Sequence, residues 1–396
     1  MNAHAAISEA DERAILDAID KWLEKKVRPV AMQLEHDDAY PHALVEDMKE
    51  LGLFGALIEP EFGGLGLSAT TYARIVTRIA EEWMSLTGIF NSHLMMAQIV
   101  QRFGTPEQKE YWLPRFATGE LRGGLGLTEP DAGTDLQAIR TVARRDGDDY
   151  VVDGTKTWIS NAIEGQCVAL LVKTDPDAQP RHKGMSILIT PKIDPDTGAP
   201  KAGVRNGKKL EKLGYKGIDS GEFVFEGYRC DARLSLVGGV EGQGFYMATG
   251  GLEIGRINIA ARSVGIARRA LRESVAYSQV RKTMGKPICE HQAIQLKLGE
   301  MGAKTRAAEL LVEDAARAYD TGARVDMEAG MAKYFASETA VEVATEAMRI
   351  HGGYGYSKEY VIERLYRDAP LMCIGEGTNE MQRIIIAKQL VARNKV

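Results

Sequence analysis

A glutamate near the end of the chain stands between two glycines, in the run Gly375-Glu376-Gly377. It follows the apolar run 371–374 and precedes a segment with the pattern of a helix. Glycine on both sides lets a ligand approach the backbone closely, and an apolar wall raises the proton affinity of a carboxyl. Such a glutamate suits a general base that works near neutral pH. The segment alone equally fits a glutamate that interacts with the dipole at the start of a helix.

Three further segments combine residue types that bind polar or aromatic groups. The segment 127–135 (LTEPDAGTD) brings hydroxyls together with flexible backbone, although a surface turn explains it as well. The segment 156–161 (KTWISN) offers an indole to stack on an aromatic cofactor, or simply a core tryptophan. The segment 281–286 (RKTMGK) has the cations of a phosphate site, or of a solvated turn.

Composition narrows the class of protein. A chain of 396 residues predicts two or three domains. Its net charge of −5 gives no general attraction to nucleic acid or to an anionic membrane. The four cysteines are widely separated, so we expect free thiols and no metal site. The uncharged stretch 83–101 predicts a buried helix rather than a membrane span. The N-terminal sequence resembles no targeting peptide, so we expect a bacterial cytoplasmic protein, or one in a matrix-like compartment if a presequence has been removed.

The pattern of the chain changes twice, which predicts three domains. Residues 1–122 show apolar residues at helical spacing, whereas residues 123–240 contain short β-rich runs separated by turns. Residues 241–396 return to a helical pattern, with Ala-rich segments at 245–279 and 291–321 that are long enough for a bundle. The order is therefore α, β, α.

Local signals predict where some of these elements begin and end. Thr105 and Gln108 have the spacing of a capping box, which predicts a helix that starts at this point. Asp153 and Gly154 lie between two apolar runs and predict the turn of a β-hairpin. The segment 194–209 is rich in Gly, Pro and charge, which predicts an exposed loop.

Seven segments in order resemble the acyl-CoA dehydrogenase family over nearly the whole chain. They are EPEFGGLG (59–66), GTPEQKEYWLP (104–114), LTEPDAGTD (127–135), GTKTWISN (154–161), RKTMGKPICEHQ (281–292), HGGYGY (351–356) and GEGTNEMQR (375–383). The resemblance implies an α+β multi-domain fold. Its parts would be an N-terminal helical domain, a middle β-barrel or β-sandwich domain and a C-terminal four-helix bundle.

The resemblance also implies FAD as the cofactor, held between the β domain and the bundle. Matches to the family's FAD-contacting positions are Leu127, Thr128, Thr134, Trp158, Ile159, Ser160, Arg281, Thr283, Gln292, Arg349, Gly352, Gly353, Thr378 and Glu380. In the family, the positions matched by Arg281, Thr283 and Gln292 reach the FAD of a neighbouring subunit. We therefore expect an oligomer, usually a homotetramer in this family.

The catalytic roles implied by the resemblance centre on one residue. Glu376 matches the base that removes the α-proton of an acyl-CoA while the β-hydride passes to flavin N5. Some members carry the base at another position, which is Gly255 in this chain and cannot serve. Matches to substrate contacts are Thr134, Glu253, Arg256 and Gly377. The usual electron acceptor of the family is electron-transfer flavoprotein.

Departures from the family pattern bear on the substrate. Gly375 stands where straight-chain members commonly have Tyr, so we expect tolerance of short, branched or cyclic acyl groups. Between residues 84 and 101 there is no Lys or Arg, which disfavours a dicarboxylic thioester. Arg349 and His351 replace the Gln and Leu of one common family version. Two alternatives stay open: an acyl-CoA oxidase or other flavoenzyme on this scaffold, and a non-catalytic protein that binds acyl-CoA.

Overall fold

In the computed structural model, residues 8–250 and 252–395 are described. The N-terminal region is helical, and its longest helix is almost entirely buried because it is apolar on nearly every side. The capping box of Thr105 and Gln108 is confirmed, with both of its hydrogen bonds present. The helices are α1 (Glu9–Trp22), α2 (Ala31–His36), α3 (His42–Glu50), α4 (Ala69–Phe103) and α5 (Pro106–Ala117).

The middle region is a seven-stranded mixed sheet. Its strands are β1 (Gly123–Gly126), β2 (Val142–Asp146), β3 (Asp149–Ser160), β4 (Cys167–Lys173), β5 (Met185–Pro191), β6 (Val204–Lys209) and β7 (Ser220–Asp231). The strand order is β1-β4-β2-β3-β7-β6, and β5 pairs with β4. Strand β4 is buried along its apolar length because it lies inside the sheet and is covered on both faces.

Two expectations for this sheet are wrong. The chain does not turn at Asp153 and Gly154, because β3 continues through both and the turn lies at Gly147, whose φ is +62°. A Cβ at Gly154 would lie 2.4 Å from the hydroxyl of Thr141, so this glycine permits a close approach between segments. The segment 194–209 is not wholly a loop, because β6 occupies its last six residues and pairs with β7.

The C-terminal region is again helical. It contains α6 (Ala232–Ser235), α7 (Gly244–Gly250), α8 (Leu252–Val280), α9 (Gln292–Asp320), α10 (Asp326–His351), α11 (Ile362–Ile374) and α12 (Asn379–Arg393). Between α8 and α9 lies a short hairpin of β8 (Lys282–Thr283) and β9 (Lys286–Pro287). Buried alanines on α8 and α10 let these two helices approach closely.

One apolar core joins α1, α3 and α4 to the C-terminal helices, so the first and last regions of the chain pack together. The β domain has its own core and a second one that it shares with α4 and α5. The predicted fold class is confirmed. The boundaries at 122/123 and 240/241 stay a prediction. Among the described residues, no helix has both the length and the apolar character that crossing a bilayer requires.

Candidate active site

A cavity of about 1280 Å³ lies where α4, the β domain and the helices α8, α11 and α12 meet; we call it the central cavity. Its wall is largely apolar, with a small number of polar and charged side chains, as is usual for a ligand site. Most of the site residues predicted from the sequence line it. They are Leu127, Thr128, Thr134, Trp158, Ile159, Ser160, Glu253, Arg256, Glu376, Gly377 and Thr378.

Glu376 occupies a tight turn between α11 and α12. Its φ is +54°, a left-handed conformation that side chains other than glycine rarely adopt. The carboxamide of Gln382 donates to the carbonyl oxygens of Glu376 (3.3 Å) and Gly377 (3.0 Å), and Thr378 caps the start of α12. A strained residue of this kind persists when its surroundings fix it, and such strain is common at functional sites.

A buried lysine supports this turn from α10. The ammonium of Lys333 donates to the side-chain oxygen of Asn379 (2.8 Å) and to the carbonyl oxygen of Cys373 (3.2 Å), which flank the turn on its two sides. Asn379 in turn donates to Ser337 and Glu338 on the same helix as Lys333. The position of the Glu376 turn is therefore set by hydrogen bonds that water does not reach.

The carboxyl of Glu376 has a raised proton affinity. Burial raises its pKa above the usual value because the charged form loses solvation. The positive charges of Arg262, Arg256 and Lys333 oppose this rise without cancelling it. A carboxylate with these properties in a cavity is a suitable general base.

Gly255 on α8 faces the carboxyl of Glu376. A Cβ at this position would lie 3.0 Å from Oε2 of Glu376 and 3.2 Å from the sulfur of Met95. Any larger residue would have to displace the carboxylate or the thioether. The glycine therefore leaves room for the side chain of Glu376 inside the cavity.

Trp158 reaches the cavity through an irregularity of the sheet. The register of β3 against β7 shifts between Lys156 and Ile159, and Trp158 within this bulge has φ of +59°. Bulges commonly redirect a side chain beside an active site. Trp158 is 59% exposed and lines the central cavity, so its ring is available to a flat ligand.

A buried ion pair connects Trp158 to the segment 127–135. Lys156 is fully buried, and its ammonium lies 2.8 Å from Glu129 and 3.1 Å from the carbonyl oxygen of Leu127. Glu129 also accepts hydrogen bonds from the backbone and the hydroxyl of Thr141. These contacts hold the hydroxyl-bearing segment against the strand that carries the tryptophan.

Two of the residues predicted to contact substrate are themselves held by the start of α10. Arg256 forms an ion pair with Asp326 at 3.3 Å, and Glu253 accepts from the backbone N–H of Val325 at 3.2 Å. Both side chains are buried and line the central cavity, on the same helix as Gly255.

Other predicted residues lie around a second cavity of about 810 Å³, which we call the peripheral cavity. Arg281, Thr283, Gly352 and Gly353 line it, together with aromatic side chains that include Tyr354. The two cavities share no lining residue. The resemblance had assigned Arg281 and Thr283 to the FAD of a neighbouring subunit, and within one chain they lie away from the central cavity.

Three predicted cofactor contacts line neither cavity. Gln292 is exposed at the start of α9, Glu380 is exposed near the start of α12, and Arg349 is exposed and paired with Glu346. Sequence reasoning also missed Arg262, which lines the central cavity. The sequence did offer an indication, because Arg262 is a single charged residue within an otherwise uncharged, mostly apolar stretch of α8.

Comparison with known proteins identifies the architecture. Models of the N-terminal, middle and C-terminal domains of acyl-CoA dehydrogenases match residues 9–120, 124–228 and 242–391. The chain belongs to the acyl-CoA dehydrogenase family. It is 38% identical over 373 residues to the mitochondrial short-chain specific acyl-CoA dehydrogenase of Bos taurus, covering 93% of this chain and 87% of that protein.

Two solved structures superpose on this acyl-CoA dehydrogenase family member with a TM-score of 0.91. One is butyryl-CoA dehydrogenase from Megasphaera elsdenii, at 33% identity, covering 99% of this chain and 100% of that chain. The other is described as the electron transferring flavoprotein of Acidaminococcus fermentans, at 34% identity and the same coverage. The chain is a flavoprotein oxidoreductase of the acyl-CoA dehydrogenase class.

The residues of the central cavity fit FAD, the cofactor of this family. An exposed indole can cover an aromatic ring, and Trp158 presents one to a cavity of sufficient size. The hydroxyls of Thr128, Thr134 and Ser160 line the same wall and offer hydrogen bonds to a polar ring edge.

Proposed function

We propose that Glu376 removes the α-proton of an acyl-CoA thioester, which the enzyme converts to the trans-2-enoyl-CoA. The observation that carries this proposal is the position of the Glu376 carboxyl, in the same cavity as Trp158 and Ser160 and packed against Gly255, where the absence of a side chain makes room for it. FAD, held by the residues that line this cavity, would supply at its N5 atom the acceptor for the β-hydrogen, which leaves as a hydride. Removal of both hydrogens leaves the double bond between the α and β carbons.

The backbone at Glu376 can assist this step. Among the described residues, the N–H of Glu376 has no acceptor, and it lies at the turn that lines the cavity. Loss of the α-proton places negative charge on the thioester oxygen, and a fixed N–H donor stabilises such charge. The left-handed turn therefore presents a base and an oxyanion donor from one residue.

The remaining substrate contacts follow the family resemblance. Thr134, Glu253, Arg256 and Gly377 would contact the acyl-CoA, and all four line the central cavity. Gly375 supports a short, branched or cyclic acyl group, because a Cβ there would meet only the carbonyl oxygen of Leu371, at 3.6 Å. A large ring is absent from this position, which leaves space beside the base.

The assembly is part of the proposal. Arg281 and Thr283 line the peripheral cavity, and Gln292 directly follows His291, which also lines it. These three residues would bind the FAD of a second copy in a homotetramer. Arg349, Glu380 and the two glycines Gly352 and Gly353 would complete cofactor contacts. Electron-transfer flavoprotein would accept the electrons, and the cytoplasm of a bacterium would be the setting.

Purification of the holoenzyme tests this function. We expect a yellow protein whose flavin absorbance bleaches when an acyl-CoA is added without oxygen. Comparison of butyryl-, isobutyryl-, 2-methylbutyryl- and cyclohexanecarboxyl-CoA then tests the branched or cyclic preference. A protein that binds no flavin, or a flavin that no acyl-CoA bleaches, would overturn the proposal.

The reoxidation step separates a dehydrogenase from an oxidase. We expect reduced enzyme to transfer electrons rapidly to electron-transfer flavoprotein and slowly to oxygen. Rapid reoxidation by oxygen would instead assign the chain to the oxidases, with the same base.

A further inference from the structure

A buried arginine on the wall of the central cavity has no role in the chemistry described above. Arg262 on α8 is 3% exposed and lines the cavity. Its guanidinium donates to the hydroxyl of Tyr215 (3.1 Å) and to the carbonyl oxygen of Thr87 (3.2 Å). Its Nε is buried and has no hydrogen-bond partner in the described part of the chain.

The charge of Arg262 has no direct counter-charge. Within residues 8–250 and 252–395, no carboxylate lies within ion-pair distance of its guanidinium, although its neighbour Arg256 is paired with Asp326. The partners that it does have, a phenol and a carbonyl, are neutral. A buried charge without an opposite partner is unfavourable, and proteins rarely keep one unless a ligand completes it.

Arg262 lies at the end of the cavity where the acyl group reacts. Arg262 and Glu376 line the same cavity, and the positive charge of Arg262 is one of those that oppose the raised pKa of Glu376. Arg262 also contacts Thr87 on α4, the helix that carries Asn91 into the same cavity. A group bound by Arg262 would therefore belong to the acyl chain rather than to the distant phosphates of CoA.

Asn91 offers a second donor beside it. Its side-chain oxygen accepts from the hydroxyl of Tyr72 (3.1 Å), which itself accepts from Asn258 (2.8 Å). This chain of hydrogen bonds leaves the amide N–H₂ of Asn91 without an acceptor among the described residues. An acceptor with negative charge and two oxygens matches a guanidinium and an amide donor.

We propose that Arg262 binds a carboxylate on the acyl group, so that the substrate is a short acyl-CoA bearing a second carboxyl. This proposal rests on the function proposed above and names its substrate class. It also reverses an expectation from the sequence, because the cation absent from residues 84–101 of α4 is supplied by the facing helix α8. A substrate carboxylate paired with Arg262 would neutralise the positive charge that lowers the pKa of Glu376. The pKa of Glu376 would then rise, which makes Glu376 a stronger base.

The test compares two thioesters with the same number of carbons in the acyl chain. Glutaryl-CoA carries the second carboxylate, and pentanoyl-CoA does not. For the holoenzyme we expect a higher kcat/KM with glutaryl-CoA. Replacement Arg262→Gln should lower the ratio of the two kcat/KM values by about 10- to 100-fold, as for loss of a hydrogen-bonded charge. Arg262→Lys should retain part of the preference because it retains the charge.

The ratio separates recognition from an effect on the base. Loss of Arg262 also changes the pKa of Glu376, so the two kcat/KM values are compared on their high-pH plateaus, where Glu376 is ionised with either thioester. Ser263→Ala is the matched control, since its hydroxyl bonds only the carbonyl oxygen of Ile259 in its own helix, and it should leave the ratio unchanged.

Other outcomes would overturn the proposal. Wild-type enzyme that prefers pentanoyl-CoA would contradict it without a variant, while leaving the proposed dehydrogenation intact. An equal loss with both thioesters in Arg262→Gln would reduce Arg262 to a positioning residue. Failure of every acyl-CoA to bleach the flavin would instead contradict the proposed function itself.

Discussion

The two cavities differ in how their functional residues are held. In the central cavity, Glu376 lies in a strained turn, and buried Lys333 stabilises this turn through a hydrogen bond to Asn379. Trp158 lies in a β-bulge next to the buried ion pair of Lys156 and Glu129. The peripheral cavity is lined by several residues that are open to solvent in the single chain. Met284 there is 94% exposed, and Tyr354 is 46% exposed.

This contrast indicates which cavity a single chain can complete by itself and which one needs a second molecule. The proposed base, the proposed oxyanion donor and the exposed indole of the central cavity are positioned by contacts within the chain, as a preorganised site requires. The peripheral cavity combines Arg281 with exposed apolar and aromatic surface, which is typical of a site that a second molecule completes. We therefore expect changes at the central cavity to lower kcat, and changes at the peripheral cavity to weaken assembly or FAD binding.

The largest effect is expected from Glu376→Gln. The amide keeps the shape of the side chain but cannot accept the α-proton, so kcat should fall by about 10²–10⁴-fold, as for loss of a general base. The flavin absorbance of the purified variant should persist. Steady-state kinetics and the visible spectrum measure both quantities.

Glu120→Gln, which changes an exposed glutamate that lines neither cavity, is the control and should keep wild-type kcat. Near-normal turnover in Glu376→Gln would show that the base is elsewhere.

The next effect concerns the peripheral cavity. Arg281→Gln should weaken FAD binding by about 10- to 100-fold, because a charged hydrogen bond contributes about 1.5–3 kcal/mol. The loss should grow on dilution if the cofactor is shared between copies. Titration of apoprotein with FAD, at two protein concentrations, measures it.

Lys282→Gln removes the adjacent exposed charge, which does not line the cavity, and serves as the matched control. If both variants bind FAD as tightly as wild type does, the peripheral cavity has no role in holding the cofactor.

A smaller effect is expected from Gly255→Ala in the central cavity. The added methyl would lie 3.0 Å from Oε2 of Glu376, so the carboxylate must move by a few tenths of an ångström. Misplacement of a reacting group on this scale should lower kcat by about tenfold. The flavin content should be unchanged.

Gly299→Ala is the control, because a Cβ at Gly299 in α9 meets no atom within 4 Å. Each alanine should also stabilise its helix by up to about 1 kcal/mol. An unchanged kcat in Gly255→Ala would mean that the position of the carboxylate is less critical than proposed.

The smallest effect concerns the pH dependence of stability at Lys333. Burial lowers its pKa from 10.5 to about 8, so the native protein releases this proton near pH 8 and the unfolded chain near pH 10.5. Between these values the unfolded state binds more protons. The unfolding free energy of wild type, relative to Lys333→Met, should therefore rise with pH, by at most about 1.4 kcal/mol per unit.

Denaturant unfolding of both proteins between pH 7.5 and 10.5 measures this difference. Subtraction of the variant removes the contributions of other buried lysines, such as Lys156. A difference that stays constant with pH would contradict a buried, easily deprotonated Lys333.

Local sequence patterns predicted much of the fold, and a family resemblance identified the central residue of the site. The capping box at Thr105 and Gln108 was correct because a cap depends only on residues three positions apart. The flanking glycines left the role of Glu376 open, and the family resemblance supplied the proposal that it is the base. The structure adds that Glu376 itself is left-handed, as is Gly377.

Features that depend on distant contacts were not predictable in the same way. Asp153 and Gly154 resemble a hairpin turn, but the glycine is required by the approach of Thr141, twelve or more residues earlier in the chain. Arg262 lines the same cavity as Glu376, and nothing in its own helix indicates which residues of other elements share that cavity. The placement of Gly352 and Gly353 beside Arg281, rather than in the central cavity, likewise depends on tertiary packing.

The most direct test of the central claim is exchange of the substrate's α-hydrogen with solvent. Holoenzyme is incubated with a saturated acyl-CoA in D₂O, without oxygen or another electron acceptor, and deuterium at the α carbon is followed by mass spectrometry. The account predicts rapid exchange by wild type and at least about 100-fold slower exchange by Glu376→Gln with its flavin still bound. Equal exchange rates in the two proteins would contradict the assignment of Glu376 as the base.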